Sequence, residues 1–264
     1  MLRLEGVSKL FNPGTVDEKI ALAQINLHLK KGDFMTIIGS NGAGKSTLMN
    51  VISGTLAADT GKVLIAGQEV QHLPEHKRSR YIARVFQDPM AGTAPNMTIQ
   101  ENLAMAFARN RRRGLRLGIN AKKKKLFREQ LSRLGMGLES RLNAKVGLLS
   151  GGERQALSLL MSTFTEPEIL LLDEHTAALD PSRAELVLRL TQEMVEEFGL
   201  TTLMVTHNME QAIRLGNRLI MMDKGRIILD VSGEEKKKLT VGKLLQKFEE
   251  IRGEKLANDR LVLN

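Results

Sequence analysis

Three stretches of the sequence predict an α/β fold with a mainly parallel sheet. Phe34-Met35-Thr36-Ile37-Ile38 and Ile169-Leu170-Leu171-Leu172 are unbroken apolar runs of strand length, as expected of strands covered on both faces. Between Ile38 and the helical run Ser46–Ile52 lies Gly39-Ser40-Asn41-Gly42-Ala43-Gly44-Lys45-Ser46-Thr47, which fits G-x-x-x-x-G-K-[ST]. A strand, a glycine turn and a helix start in that order form a phosphate cradle. Glycines let the backbone N–H groups converge on phosphate oxygens, and the helix N-terminus adds about half a positive charge. In such a cradle Lys45 reaches the β- and γ-phosphates, Ser46 puts its hydroxyl on Mg²⁺, and Thr47 backs up the phosphate contacts.

The other elements follow in order. Leu2 to Phe11 and Ile20 to Leu29 read as strands around a turn at Asn12-Pro13-Gly14, and the alternation of Ile25-Asn26-Leu27-His28-Leu29 marks a half-buried antiparallel strand. Lys62–Gly67 and Ile82–Gln87 are further strands, the second broken by Asp88-Pro89. From Thr98 to about Leu134 the period is helical, with a capping box at Thr98 and Glu101. Gly114 and Gly118 separate this helix from a second one over Ala121 to Leu134. A helix opens after Ser150, Arg183–Phe198 is amphipathic, and Thr201–Thr206 is a buried strand. Asp223-Lys224-Gly225 turns a hairpin. Beyond it Leu244, Leu245, Phe248 and Ile251 share a helical face after a cap at Thr240, which predicts a helix packed on the core. The fold class is therefore α/β: a phosphate-loop NTPase core, an antiparallel β subdomain and an inserted α-helical subdomain over about 90–165. Residues 1–232 form the expected nucleotide-binding domain and 233–264 a helical extension.

Composition narrows the functional classes. The chain has 264 residues and no cysteine, which excludes disulfides and thiolate metal sites. No charge-free apolar run approaches 18 residues, and Met1-Leu2-Arg3-Leu4-Glu5 does not read as a signal peptide, so a soluble or peripheral protein is expected. The net charge is +9, yet ten basic residues and no acidic one fall between Arg109 and Arg128; outside that segment 29 basic residues face 30 acidic ones. The segment admits three readings: a solvated helical face, contact with anionic lipid head groups, and nucleic acid. With Phe127 its only aromatic, base stacking has little to work with.

Further motifs stand in a fixed order. The apolar strand ending in Asp173-Glu174 lifts Asp173 to the sheet's C-terminal edge near the metal held by Ser46, and Glu174 lies one residue on, where it can orient or deprotonate an attacking water. Leu149-Ser150-Gly151-Gly152-Glu153-Arg154-Gln155 opens a helix, making Ser150, Gly151 and Gly152 a second anion-binding start. Together with Gln87, Ala178-Leu179-Asp180 and His207, these runs resemble the ATPase subunits of ABC transporters from residue 2 to about residue 232. The resemblance implies that Gln87 completes the Mg²⁺ shell and senses the γ-phosphate, that Asp173 holds Mg²⁺, and that Glu174 and His207 serve hydrolysis. It implies that Ser150, Gly151 and Gly152 face the phosphate loop of a second chain in a homodimer, with Asp180 communicating across the interface. Phe11 is a candidate to stack on adenine, the alternative being a strand-end core residue. His175 replaces a proline frequent in the family: either it tunes hydrolysis beside the γ-phosphate or it is a tolerated variation. His28, His72 and His76 lack metal-ligand spacing and are expected at the surface. Most of the thirteen methionines are expected to fill core.

For the whole chain, the resemblance implies ATP and Mg²⁺ as cofactors and separate integral membrane permease subunits, with an extracytoplasmic solute-binding protein acting through the permease. It places the chain on the cytoplasmic face of the membrane. The run Asp173-Glu174-His175-Thr176-Ala177-Ala178-Leu179-Asp180 resembles cassettes paired with branched-chain-amino-acid-type permeases, with amino acids or similar small solutes as cargo. The alternative is a soluble ABC ATPase acting on a ribosome, nucleic-acid or cytosolic assembly complex; no nucleic-acid partner is expected.

Overall fold

The computed structural model describes residues 1–109 and 118–250. Two sheets organise them. The smaller is antiparallel, in the order β2 (Lys19–Leu29), β1 (Leu2–Phe11), β4 (Thr60–Ile65) and β5 (Gln68–Glu69). The larger runs β10 (Arg226–Ser232), β9 (Arg218–Asp223), β3 (Phe34–Gly39), β8 (Thr201–Val205), β7 (Ile169–Asp173) and β6 (Ile82–Val85). Its pairings from β9 to β6 are parallel, and only β10 is antiparallel, returning through Lys224-Gly225 with φ of 46° and 74° as a tight hairpin requires.

The helices are α1 (Lys45–Ser53), α2 (Glu75–Arg78), α3 (Ile99–Ala108), α4 (Ala121–Ser132), α5 (Gly151–Thr163), α6 (Pro181–Phe198), α7 (Met209–Arg214) and α8 (Gly233–Lys237), followed by a last helix over 241–250. The apolar pattern of the strands decides where each packs. One core fills the space between the antiparallel sheet, α1 and the near face of the parallel sheet, through Leu22, Leu48, Ile52, Ile82, Leu171 and Ile220. Alternate residues of the same strands, Ala83, Val85, Leu170 and Leu172, face the opposite way and pack with Leu103, Phe127, Leu131 and Leu157 of the helical layer. Phe107, Phe127 and Phe164 meet with ring centroids 6.0–6.1 Å apart, tying α3, α4 and the end of α5 together.

Local rules set the helix ends. Thr98 and Glu101 form the expected capping box on α3, and Ser150 with Glu153 forms another on α5. α6 starts two residues earlier than the apolar period indicates, because Asp180 caps it and Pro181 is preorganised for the first turn. β6 stops at Val85, so Phe86 and Gln87 lie beyond the strand that the sequence predicts for them. Thr240 caps the final helix through a 3.3 Å bond from Lys243 N–H, and Leu244 is fully buried with Ile38, Leu219 and Met221. Phe248 packs on the same cluster, but Leu245 is 42% exposed and does not share that contact, since it lies a further 100° around the helix from Leu244. Ile251, Gly114 and most of the basic loop lie outside the described residues. At the ends of that loop Arg109 donates to the carbonyls of Ser79 and Ile82, and burial holds its pKa below the usual arginine value, while Phe127 is fully buried. Lys122, Lys125 and Arg128 are exposed on α4. Met90 and Met105 are 40% and 47% exposed, whereas Met35, Met49 and Met222 are buried as expected of gap-filling side chains. Among the described residues no helix is long and apolar enough to cross a membrane.

Candidate functional site

The carboxyl ends of β3, β7 and β8 point to one edge of the parallel sheet, where a ligand crevice is expected in an open α/β sheet. The phosphate loop leaves β3 there. Gly39 has φ 155° and its Cα approaches so near to β9 that an added Cβ would stand 2.3 Å from the Met222 carbonyl. Gly44 has φ 101°, with an added Cβ 2.4 Å from the Ala21 carbonyl. Any side chain at these two positions would push the loop off β9 and β2, so the glycine spacing is a packing requirement as well as a phosphate one.

The resulting cleft is lined by Phe11, Lys19, Ala21, Asn41, Gly42, Ala43, Gly44, Lys45, Ser46, Thr47, Glu174 and His207. Lys45 is 5% exposed, and its ammonium donates to the carbonyls of Gly39 (2.8 Å) and Ser40 (3.1 Å). Burial lowers its pKa, while the charges of Glu174 and Asp173 pull it back up, which places both carboxylates in the electrostatic field of the loop lysine. Ser40 is not among the residues that line the cleft; its hydroxyl donates to Asp223 Oδ1 at 3.3 Å.

Glu174 follows β7 with φ 47°, in the left-handed region that costs a non-glycine residue of order 1 kcal/mol. The turn is held by its N–H, which donates to Val205 O at 3.0 Å. Its Oε1 lies 2.6 Å from His207 Nε2, with the two side chains 13% and 49% exposed. The pair thus joins the ends of β7 and β8 at the mouth of the cleft. Phe11 sits at the rim, 36% exposed and so outside the core, with the Lys9 ammonium 5.8 Å from its ring centroid.

Asp173 ends β7 but does not line the cleft, and its Oδ2 accepts a 2.6 Å hydrogen bond from Arg84. Gln87 is exposed beyond β6. Among the described residues no three His, Asp or Glu side chains cluster as a metal cage. One carboxylate at Asp173 and one hydroxyl at Ser46 suit Mg²⁺, which keeps several waters and takes phosphate oxygens as ligands.

Ser150, Gly151, Gly152 and Asp180 are absent from this cleft. Ser150 caps α5; an added Cβ on Gly151 would meet Leu179 at 3.2 Å, and one on Gly152 would meet Arg183 at 3.2 Å, so the signature helix start abuts the turn before α6. Asp180 accepts from Arg183 N–H and pairs with the Arg183 guanidinium at 3.3 Å. His175 does not reach the cleft either. It is 1% exposed and turned inward, Nε2 lying 3.0 Å from Thr191 Oγ1. Thr191 spends its own proton on Val187 O at 2.8 Å, so His175 Nε2 is the donor and Nδ1 is left without a partner. Burial pushes this imidazole down to about 4. His28, His72 and His76 are exposed, as their spacing predicts.

Lys19 and Ala21 are cleft residues that no motif announces. They enter because β2 lies against Gly44, a contact between positions more than twenty residues apart.

The ABC transporter family model matches residues 22–177. A tyrosine transport ATP-binding protein of Clostridioides difficile (strain R20291) is 43% identical over 249 residues, covering 94% of this chain and 99% of that protein. A spermidine/putrescine import ATP-binding protein of Bacteroides fragilis (strain YCH46) is 36% identical over 86% of this chain, which spans 46% of that longer relative. Among solved structures, the ADP conformation of MJ1267, an ATP-binding cassette of an ABC transporter, aligns with TM-score 0.77 and 28% identity over 94% of this chain and 98% of that one. The dimeric MJ0796 cassette in a post-hydrolysis state with ADP and phosphate aligns with TM-score 0.75 and 28% identity over 88% and 98%. With the phosphate loop, the acidic pair and the signature helix in place, the chain belongs to the ATP-binding subunits of the ABC transporter family and is an ABC ATPase.

Proposed function

We propose that this chain energises import of amino acids or similar small solutes, working as a homodimer on the cytoplasmic face of a membrane beneath separate permease subunits. An extracytoplasmic solute-binding protein would deliver cargo to the permease, which in this reading is of the branched-chain-amino-acid-like group, a reading supported by the resemblance of the run Asp173–Asp180. Residues 1–232 act as the ATPase unit in this reading, with 233–264 as its extension. The observation that carries it is a cleft that holds the phosphate loop, Glu174 and His207 but not the second helix start at Ser150. A phosphate site built from two helix starts then needs a second chain. The relation to a tyrosine transport protein over nearly all of both chains supports amino-acid cargo.

Within that frame the backbone of Gly39–Gly44 and the N-terminus of α1 bind the phosphates, and Lys45 leaves its carbonyl partners for the β- and γ-oxygens. Ser46, Asp173 and Gln87 would hold Mg²⁺, which when bound would supply positive charge against the phosphates. Glu174 orients the water and takes its proton; His207, already in contact with Glu174, keeps that carboxylate directed and holds the γ-phosphate. Ser150, Gly151 and Gly152 of the partner cover the γ-phosphate, and Asp180 lies at the same interface. ATP closes the dimer and hydrolysis reopens it.

The test is size-exclusion chromatography of Glu174→Gln, a change that keeps size and hydrogen bonding but removes the base. With Mg²⁺ and ATP it should elute as a dimer whose turnover is lower by roughly 10²-fold or more, and it should elute as a monomer without nucleotide. A variant that hydrolyses ATP near the wild-type rate, or never dimerises with ATP, contradicts the proposal.

A further inference from the structure

The parallel register places Arg84 of β6 opposite Leu171 of β7. Side chains alternate along a strand, so Arg84, Leu171 and Asp173 share the face that looks toward α1. There the guanidinium is committed three ways. Nη2 donates to Asp173 Oδ2 at 2.6 Å, Nη1 donates to Asn50 Oδ1 on α1 at 2.7 Å, and the plane lies 4.9 Å from the centroid of Phe86, the residue before Gln87. Arg84 and Asp173 side chains are only 14% and 15% exposed, and Arg84 Nε is buried without a partner. One isolated pair in such a setting contributes little net stability, because desolvation offsets the attraction. Net stability is therefore not the only role open to a guanidinium that bridges β7 and α1 at this position.

The carboxylate it holds is the one the chain offers to Mg²⁺, and an arginine cannot release its proton to step aside. We propose that Arg84 is a built-in counter-ion that sets the divalent-cation affinity of Asp173, keeping Mg²⁺ off this carboxylate until nucleotide phosphates arrive with further ligands. The claim rests on the reading that Asp173 is a Mg²⁺ ligand. Two cations compete for one carboxylate. Mg²⁺ alone, with one carboxylate and one hydroxyl to bind, loses to a guanidinium anchored by Asn50 and Phe86; Mg²⁺ bound to ATP brings its own phosphate oxygens and wins. Empty chains would then stay free of metal, and the site would load as the metal–nucleotide complex.

Binding of Mn²⁺, a spectroscopic substitute for Mg²⁺, is measured by electron paramagnetic resonance without nucleotide for wild type, Arg84→Gln and Arg84→Lys. Removing the charge should tighten nucleotide-free Mn²⁺ binding by about tenfold or more, since two like charges a few ångströms apart at low exposure repel strongly. Arg84→Lys keeps the charge and should stay near wild type, which separates charge from packing, and melting temperatures above the assay temperature confirm that each variant is folded. Adding Asp173→Asn to Arg84→Gln should abolish the gain. Unchanged or weaker Mn²⁺ binding in Arg84→Gln overturns the counter-ion role. The reading it rests on is tested separately: if Asp173→Asn leaves the Mg²⁺ dependence of ATP binding intact, Asp173 is not the ligand and both claims fall together.

Discussion

The Glu174–His207 contact supports a double-mutant cycle with an outcome that independent residues could not produce. His207 Nε2 lies 2.6 Å from Glu174 Oε1, with the glutamate 13% and the histidine 49% exposed. A hydrogen bond to a charged group contributes about 1.5–3 kcal/mol, and the half-exposed histidine puts this one at the lower end, about 1.5 kcal/mol. If that contact directs the carboxylate in the transition state, His207→Ala should lower kcat about tenfold. Loss of contact with the γ-phosphate would lower it further. Glu174→Gln removes the base and should cost about 10²-fold to 10⁴-fold. The part of the His207→Ala loss which runs through Glu174 is already gone in Glu174→Gln, so the double variant should be slower than Glu174→Gln by less than the factor His207→Ala costs in wild type, the remainder being lost contact with the γ-phosphate. Phosphate release at saturating Mg²⁺ and ATP gives kcat, and a fluorescent nucleotide gives affinity, which should change far less. Multiplicative losses, or kcat within about twofold of wild type in His207→Ala, would refute the coupling.

Three other tests address surfaces around the site. Phe11→Ala should weaken ATP binding by roughly tenfold, as base stacking on an aromatic contributes about 1–3 kcal/mol, with kcat at saturation little changed; equal titration curves would return Phe11 to a packing role. Leu244→Ala should lower stability by about 2–4 kcal/mol and the melting temperature by several degrees, because Leu244 is fully buried against Ile38, Leu219 and Met221. An unchanged melt would mean that the C-terminal helix is loosely attached. If the basic face of α4 touches lipid, replacing Lys122 to Lys125 with Gln should weaken binding to anionic vesicles by up to about 1 kcal/mol per charge, less at high salt; equal binding to neutral vesicles would restore the solvated-face reading.

What could be read in the sequence is what is local. The strand, glycine turn and helix of the phosphate loop are contiguous, and their spacing dictates their geometry. Thr98 with Glu101 announces a helix start because both partners lie within one turn. The apolar run of β7 fixes a two-sided strand and so sets Asp173 at its end. Contacts between distant segments were not legible. Lys19 and Ala21 reach the cleft only through the packing of β2 on Gly44, and the pairing of Arg84 with Asp173 depends on the register of β6 on β7. His175 shows the same limit from the other side: adjacency to Glu174 suggests the cleft, but the left-handed turn at Glu174 sends the next side chain inward to Thr191. The short elements β5, α2, α7 and α8 carry too few residues for a periodic signal.

The claim that each ATP site is shared between two chains is tested most directly by cross-linking. The chain has no cysteine of its own, so Asn41→Cys in one tagged population and Ser150→Cys in a second can be joined by a short bis-maleimide without background. Both carry Glu174→Gln so that bound ATP persists. Asn41 lines the cleft and Ser150 does not, although both should meet the same nucleotide. The account predicts a link between differently tagged chains that forms with Mg²⁺ and ATP and not without them. Chains that exchange partners freely yet form no ATP-dependent link, or a single chain carrying both cysteines that links only to itself, would contradict it.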